Sequence, residues 1–510
     1  MYAIFVTLNV QQDKIAEFEE VSLGDAQGST RDEPECFRFD ILRDPAVPGR
    51  YYLYEVYLNV DSLEKHRATP HFQKWWATVE DWFEEDLAKI EMETVFPSDE
   101  GWEAQKPHLL NWYPTGTAAM KITGLECLHA DAGFRNFDFL KISTDEGLVG
   151  WSEYNESFGG LGVSEVIKNL AGVLVGEDPR PIESHVARMY AIRRQASGGI
   201  AQQAIGAIEN ALLDLKAKGL GIPVYEMLGG PVRDRIRLYW SHCGTYRLSF
   251  AEEMQIEPLR SLDDVVQLGR QAAASGYTAL KTNVFRFDGG EAWLHSPGFW
   301  RGEGYPELNA DRGVVRAMCE QLEAFREGTG PDIDILVDLN FNFKTEGFLK
   351  MSRAMEPYDL FWVEIDSCSP EALAYIRRGT TIPVASGECL FRRRGYKPYL
   401  DVDSMDVAIV DNPWNGVGEG LKIAAMADTY EVNVAPHNFY GHLATMMNAH
   451  FCAVVPNFRI MEIDCDFVPW HDDFFTVTPE IEAGHLLLPT GPGWGTEINE
   501  EAVRDHPPKG

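Results

Sequence analysis

DILVDLN (residues 334–340), LFWVEID (360–366), PVASGE (383–388), DVAIVD (406–411) and VNVAPHN (432–438) are short apolar runs that each close on a polar or ionisable group. RLYWSHCG (237–244) and TALKTNV (278–284) precede them and FRIMEID (458–464) follows, which makes eight strand candidates. Helix-patterned segments lie between them, among them LDDVVQLGRQAAASG (262–276), GVVRAMCEQLEAFREG (313–328), PEALAYIRRG (370–379) and GLKIAAMADTY (420–430). Strands alternating with helices imply a parallel sheet. Eight such units within residues 235–464 predict a closed α/β barrel of TIM type rather than an open sheet.

The C-terminal strand ends of such a barrel open onto one face, and catalytic groups come from several of them. Lys281 and Asn283 end the second strand, Asp338 and Asn340 the third, Glu364 the fourth, Glu388 the fifth, Asp411 the sixth, His437 the seventh and Glu462 the eighth. Asp338, Glu364 and Glu388 would repel one another if buried together, and would take up protons. A divalent cation removes that conflict, and an all-oxygen donor set selects Mg²⁺. One acid at a strand end would be read as a helix cap or the partner of a surface lysine. Three in register on consecutive strands are read as metal ligands. A lone His437 would be read as a hydrogen-bonded structural residue, but Asp411 on the preceding strand can bind one ring nitrogen, fix the tautomer and raise the basicity of the other.

On these residues the region resembles the mandelate racemase branch of the enolase superfamily. The resemblance is carried by LKTN (280–283), VDLN (337–340), VEID (363–366), SGE (386–388), IVDNPWNGVGEG (409–420), APHN (435–438) and AHFCAVVPNFRIMEID (449–464). GWSEY (150–154) and IGAIENALLDLKAKGLGIPVYEMLGG (205–230) extend it, so that it covers roughly residues 118–505. It implies a modified (β/α)7β barrel with an α+β capping domain, and one Mg²⁺ per subunit on Asp338, Glu364 and Glu388. A base would remove the proton α to a substrate carboxylate and form an enediolate, a pairing of base and metal that is an established property of that superfamily.

The departures from the pattern narrow the reaction. Asn283 stands where racemases of the branch carry a second, proton-carrying lysine, and Asn340 where some sugar-acid dehydratases carry a second histidine. The His437–Asp411 pair remains as proton carrier. One base that takes the α-proton and returns it to a β-hydroxyl leaving from the same face performs syn-dehydration of an acid sugar to a 2-keto-3-deoxy acid, the chemistry of a carbon–oxygen hydro-lyase. Lys281 is then an electrostatic partner of the carboxylate. Asn283 and Asn340 position the substrate, and Glu462 hydrogen-bonds it or a metal-held oxygen. Racemisation or epimerisation of a 2-hydroxy acid is the alternative within the barrel.

Upstream, AMKITGLECLHA (119–130) and FDFLKISTDEGLVGWSEY (137–154) predict a small sheet, and GIAQQAIGAIENALLDLKAKGLG (199–221) a helix stopped by its glycine. The predicted domains are 1–97, a linker at 98–117, a cap at 118–234, the barrel at 235–464, and a C-terminal segment at 465–510 returning to the cap. The segment FRFDGGEAWLHSPGFWRGEGYPELNAD (285–311) is long and rich in aromatics and glycine, as a lid over the site can be.

Residues 1–97 read as a ferredoxin-like α+β unit, β-α-β-β-α-β, with Pro70 breaking its second helical stretch. Through FRFDILRDP (37–45) and YYLYEVYLNVDSLEKHRATPHFQKW (51–75) it resembles the antibiotic biosynthesis monooxygenase family of dimeric α+β barrels. That implies either quinol oxidation, with Glu55, His66 and His71 lining a cavity, or a role in assembly. The aromatic group Trp75, Trp76, Trp82 and Phe83 favours assembly by burial against a second copy, giving a homo-oligomer. A non-catalytic scaffold is the third reading, and the intact set of acids and the His–Asp pair oppose it.

The net charge of −34 over 510 residues repels a phosphate backbone, so the partner expected is a small carboxylate and not nucleic acid. Arg392, Arg393 and Arg394 form the one dense basic run and read as a solvated loop. There is no apolar run long enough to span a membrane. Eight scattered cysteines without a C-x-x-C pair predict reduced, buried thiols in a cytoplasmic protein.

Overall fold

The computed structural model describes residues 1–109, 120–158, 160–297 and 310–509, and the chain divides into two units, Met1–Ala118 and Ala119–Gly510. In the first, strands β1 (Tyr2–Asn9), β2 (Cys36–Arg43), β3 (Arg50–Tyr57) and β4 (Ala88–Glu93) form an antiparallel sheet in the order β2-β3-β1-β4. Helices α1 (Ile15–Asp32), α2 (Val60–Arg67) and α3 (Pro70–Val79) complete the β-α-β-β-α-β order. Asn59 caps α2 through Ser62 N–H (3.0 Å), and Thr69 caps α3 with Pro70 in its first turn, where a missing N–H leaves no bond unmade.

Two expectations for this unit change. The stretch 98–117, read as a linker, contains helix α4 (Asp99–Leu109). Gly101 and Pro107 masked its period, and one large side chain does most of the docking: Trp102 is buried with Ala3, Phe37 and Val56. The aromatic group expected on the surface instead packs into the unit's own core, with Trp75 buried and Trp76, Trp82 and Phe83 against the same cluster.

The second unit opens with an antiparallel meander, β5 (Ile122–Asp131), β6 (Asn136–Thr144) and β7 (Val149–Tyr154). The helix Gly199–Leu220 packs on it, almost wholly buried, and ends at Gly221 (φ 68°), a left-handed position that glycine fills without strain. Buried Asp214 on this helix accepts the Trp151 and Trp494 backbone N–H groups (both 2.8 Å) and pairs with Lys218 (2.6 Å), fastening strand β7 and the C-terminal segment to one carboxylate.

The barrel strands are β8 (Arg235–Ser241), β9 (Ala279–Thr282), then, after a β10–β11 hairpin (Phe285–Asp288, Glu291–Leu294), β12 (Asp334–Asp338), β13 (Trp362–Glu364), β14 (Val384–Ser386), β15 (Val407–Val410), β16 (Asn433–Pro436) and β17 (Met461–Asp464). All neighbours from β8 to β16 pair in parallel. β17 pairs with β8, and a parallel bridge from Val434 of β16 to Phe458, in the segment leading into β17, closes the ring. Helices follow the first seven strands, giving (β/α)7β. Inside, Tyr239 and Trp362 stack edge to face (5.7 Å) against Ala279, Leu336, Ala385, Ile409, Ala435 and Ile460. Two bulky rings among alanines and branched aliphatic side chains fill the interior as a packed layer. Of the segment proposed as a lid, 285–294 form the hairpin and residues 298–309 lie outside the described residues.

The three consecutive arginines are not a solvated loop. They start the helix Arg392–Asp401, where Arg392 and Arg393 pair with buried Glu419 (3.5 and 3.0 Å) and Arg392 lies over the Tyr190 ring. All eight cysteines are free; Cys36, Cys243 and Cys452 are buried, and Cys368 is exposed.

Glu209, on the helix Gly199–Leu220, is buried, and its carboxyl is pushed up to about 8 by desolvation, with Lys422 opposing. In the unfolded chain it ionises near 4.3. The folded state holds the proton longer, so stability falls as pH rises from the unfolded value and levels off above about 8. Glu209→Gln is expected to raise the melting temperature at pH 9 and leave it nearly unchanged at pH 4.5. An equal shift at both, seen by calorimetry, would remove the ionisation argument.

Candidate active site

The interior layer fixes what lies above it. In an extended strand, residues two apart share a face. Two residues beyond Tyr239, Ala279, Leu336, Trp362, Ile409, Ala435 and Ile460 stand Ser241, Lys281, Asp338, Glu364, Asp411, His437 and Glu462. Only β14 departs: Gly387 holds the equivalent place and Glu388 comes one later. Gly387 has φ 120°, a conformation that favours glycine and redirects the chain at this point. The parallel register sets Asp338 directly beside Glu364.

Lys281 sits among the acids. Its Nζ is 2.9 Å from Glu364 Oε2, 2.9 Å from Glu462 Oε1 and 3.6 Å from Asp338 Oδ2, all buried. Burial alone would lower its pKa, but Glu364 and Glu462 hold it well above the ordinary lysine value. Glu462 is otherwise spent: Ser241 Oγ donates to Oε1, and the Asn438 N–H donates to Oε2 (2.7 Å). Asn283 accepts from Thr245 Oγ1 (2.7 Å) and donates to Asn340 Oδ1 (3.2 Å) and the Asp338 carbonyl (3.3 Å), so it braces the strand ends. Asn340 adopts φ 46°, and its N–H donates to Asp338 Oδ1 (2.8 Å).

His437 and Asp411 meet as expected. The Nδ1···Oδ2 distance is 2.7 Å, and the ring's other nitrogen is 3.5 Å from Glu388 Oε2. Asp411 also caps the helix Asn412–Asn415 through the Trp414 N–H (2.7 Å) and accepts from Tyr440 Oη, so its carboxylate cannot turn. Burial opposes charge on His437, but Glu388, Asp411 and Glu462 outweigh it and hold the imidazole up at about 10. Phe439 (4.9 Å between centroids), Tyr440 (5.8 Å) and Trp414 (6.3 Å) wall the ring, and Phe158 of the cap packs edge-on to Phe439 (5.3 Å).

The acids carry more negative charge than their surroundings offset. Glu364 Oε1 and Asp366 Oδ2 are buried with no hydrogen-bond partner. Desolvation, then neighbouring carboxylates, raise Glu388 and Asp366 above the usual carboxylate range. An all-oxygen group with two unpaired buried oxygens fits a hard divalent cation. Asp338 and Glu364 face Lys281 while Glu388 faces His437; on the Glu388 side, the ligand atoms within 4.8 Å of one another are those of Asp366, Glu388 and Cys389.

Three residues were missed in the sequence. Asp366 lies two beyond Glu364 and Asp464 two beyond Glu462, so the alternation that located the acids could have extended to both. The third, His242, leaves the alternation through φ 47°, a strained conformation for a non-glycine residue. Its Nδ1 is 2.8 Å from Asp464 Oδ1, and Asp464 is further held by Tyr246 Oη (2.9 Å) and Arg135 Nη2 (3.2 Å). The His242 ring lies 6.4 Å from Phe439, whose ring is also in contact with His437.

Comparison with known proteins agrees with this architecture. Residues 264–502 match the enolase C-terminal domain-like family, residues 132–229 the mandelate racemase/muconate lactonizing enzyme N-terminal domain, and residues 1–78 the antibiotic biosynthesis monooxygenase family. The D-xylonate dehydratase of Haloferax volcanii is 28% identical over 77% of this chain and 90% of its own length. The D-galactonate dehydratase of Xanthomonas euvesicatoria pv. vesicatoria is 31% identical over 76% of this chain and 96% of its own. A Burkholderia xenovorans protein, provisionally named L-alanine-DL-glutamate epimerase and solved with magnesium and fumarate bound, is 50% identical over 77% of this chain and 97% of its own, with a TM-score of 0.75. With its barrel, its cap and these relatives, the chain belongs to the mandelate racemase/muconate lactonizing enzyme branch of the enolase superfamily, and it carries an N-terminal domain of the antibiotic biosynthesis monooxygenase family.

Proposed function

We propose that the chain is an acid-sugar dehydratase that removes the proton α to a carboxylate with His437 and eliminates the β-hydroxyl to give a 2-keto-3-deoxy acid. The observation that carries this reading is the 2.7 Å His437–Asp411 pair beside the acids, with Asn283 and Asn340 where a second proton carrier would stand. The dehydratase names of the Haloferax and Xanthomonas relatives support it. Asp338, Glu364 and Glu388 would hold one Mg²⁺, which supplies the positive charge that a substrate carboxylate needs as its α-proton leaves.

The chain's own groups do the rest. Asp411 accepts a hydrogen bond from His437 Nδ1–H, and a cation on Asp338, Glu364 and Glu388 would offset the carboxylate charge that otherwise keeps the imidazole protonated, which frees the Nε2 lone pair to act as base. Nε2 takes the α-proton, the C–O bond to the β-hydroxyl breaks, and the same imidazolium protonates the departing oxygen as water. The enol product then ketonises. Lys281, fixed by Glu462 and Glu364, keeps a positive charge at the carboxylate end. Phe158, Trp414 and Phe439 limit water around the imidazole. Assembly as a homo-oligomer is proposed through the N-terminal sheet, whose edge strand β4 leaves Ile90 (58%) and Met92 (36%) exposed.

Epimerisation is the second reading, favoured by one observation: His242–Asp464 is another imidazole–carboxylate pair at the barrel mouth. A screen of acid sugars with Mg²⁺ in D₂O separates the two. Dehydration is expected to yield deuterated keto acid with no build-up of epimer. Epimer without keto acid would overturn it.

A further inference from the structure

The N-terminal unit buries imidazoles and carboxylates that the barrel chemistry does not use. Helix α1 presents Asp25 and Ser29 four apart on one face, and Glu33 follows directly as the residue that caps its C-terminal end. Helix α2 ends near His66, and the Thr69–Pro70 turn starts α3 with His71 in its first turn. His66 Nδ1 is 2.8 Å from Glu33 Oε1 and 3.3 Å from Ser29 Oγ. His71 lies 2.8 Å from Asp25 Oδ1 through Nδ1 and 3.0 Å from Glu33 Oε1 through Nε2. Asp25 is 3% exposed and His66 1%, and Asp25 Oδ2 is buried with no partner. Phe39, Tyr57 and Phe72 ring His66 at 5.9, 5.5 and 4.8 Å. Buried Glu55, whose carboxyl desolvation pushes up to about 7, adds a third negative group nearby.

Helix α1 gives up stability to admit this group. A Cβ at Gly28 would stand 2.8 Å from His71 Cγ, so the imidazole packs against bare backbone. Glycine in a helix interior is less favourable than alanine, because it loses more backbone freedom on folding.

We infer that this cluster is a binding site for one divalent transition-metal ion of the Zn²⁺, Co²⁺ or Fe²⁺ class, held by Asp25, His66 and His71, with Glu33 beside it as the carboxylate that orients both imidazoles. Asp25, His66 and His71 each offer a ligand atom, all within 4.8 Å of one another. With bonds of about 2.0–2.1 Å, tetrahedral ligand atoms stand roughly 3.3 Å apart, so small side-chain rotations close the site. Two imidazoles select borderline metals over Mg²⁺, which makes this ion chemically distinct from the one proposed for the barrel. Binding replaces the protons now shared between the imidazoles and Glu33, so it releases protons.

The test uses the full-length chain, stripped of metal and then saturated with Mg²⁺ to fill the barrel site. Titration with Co²⁺ is expected to show one equivalent bound, with visible d–d absorption that Zn²⁺ bleaches and with protons released. His66→Gln and His71→Gln should each remove that equivalent, and Glu33→Gln should weaken it about 10–100-fold. Glu364→Gln, which alters only the barrel, should leave it intact. If the histidine variants fail to fold, anomalous scattering from Zn²⁺ in crystals of the unaltered chain decides. An ion at Asp25, His66 and His71 supports the site. Zinc elsewhere, no Co²⁺ beyond the barrel's share, or Co²⁺ retained by both folded histidine variants would leave only an imidazolium–carboxylate cluster and overturn it.

Discussion

Glu364→Gln is expected to bring turnover to background and to abolish measurable Mg²⁺ binding. Glu364 is 1% exposed, its Oε2 is 2.9 Å from Lys281, and its Oε1 has no partner. Glutamine preserves shape and removes the charge. The remaining acids then offset less of a divalent cation, and a neutral amide oxygen is a much weaker donor to a hard ion. Calorimetric titration with Mg²⁺ reads this independently of any substrate, and near-ultraviolet circular dichroism checks that the core is intact. Asp338→Asn and Glu388→Gln should behave alike. If Glu364→Gln binds Mg²⁺ as tightly as the unaltered chain, the ion is held by another group, and Asp366, Glu388 and Cys389 become the place to look.

How much of this was legible depends on the backbone. Where strands ran straight, alternation was enough: Leu336 to Asp338 and Ala435 to His437 are each a step of two, and each lands its polar group on the barrel mouth. Asp366 and Asp464 are one more step of two and were legible in principle. His242 was not, because a positive φ turns it out of its strand's alternation and only coordinates reveal such a turn. Helix α4 was hidden by Gly101 and Pro107, whose local preference yielded to the burial of Trp102. The aromatics of the N-terminal unit were read as a surface because composition does not say which side of a helix faces the sheet. Trp75 turned inward, where its indole N–H donates to Ser22 Oγ at 2.9 Å. The acid partners of His66 and His71 were hidden by distance along the chain: Glu33 stands 33 positions from His66 and Asp25 46 positions from His71, at the end of α1 and within it.

His437→Asn is expected to abolish both α-proton exchange and product formation, because a single imidazole would serve as base and then as acid. A general acid–base group contributes about 10²–10⁴-fold, so loss of a shared one should cost at least that in each step. Asparagine keeps a polar side chain near Asp411 but carries no exchangeable base, so the loss reports proton transfer rather than the wall of Phe439 and Trp414. Asn283→Ala supplies the contrast: its amide only braces Thr245, Asn340 and the Asp338 carbonyl, so turnover should weaken while exchange continues. Exchange is followed by NMR in D₂O, product by keto-acid formation. Exchange that survives in His437→Asn and vanishes when His242→Asn is added would mean that the His242–Asp464 pair carries a proton of its own. Single-base dehydration would then give way to the two-base reading.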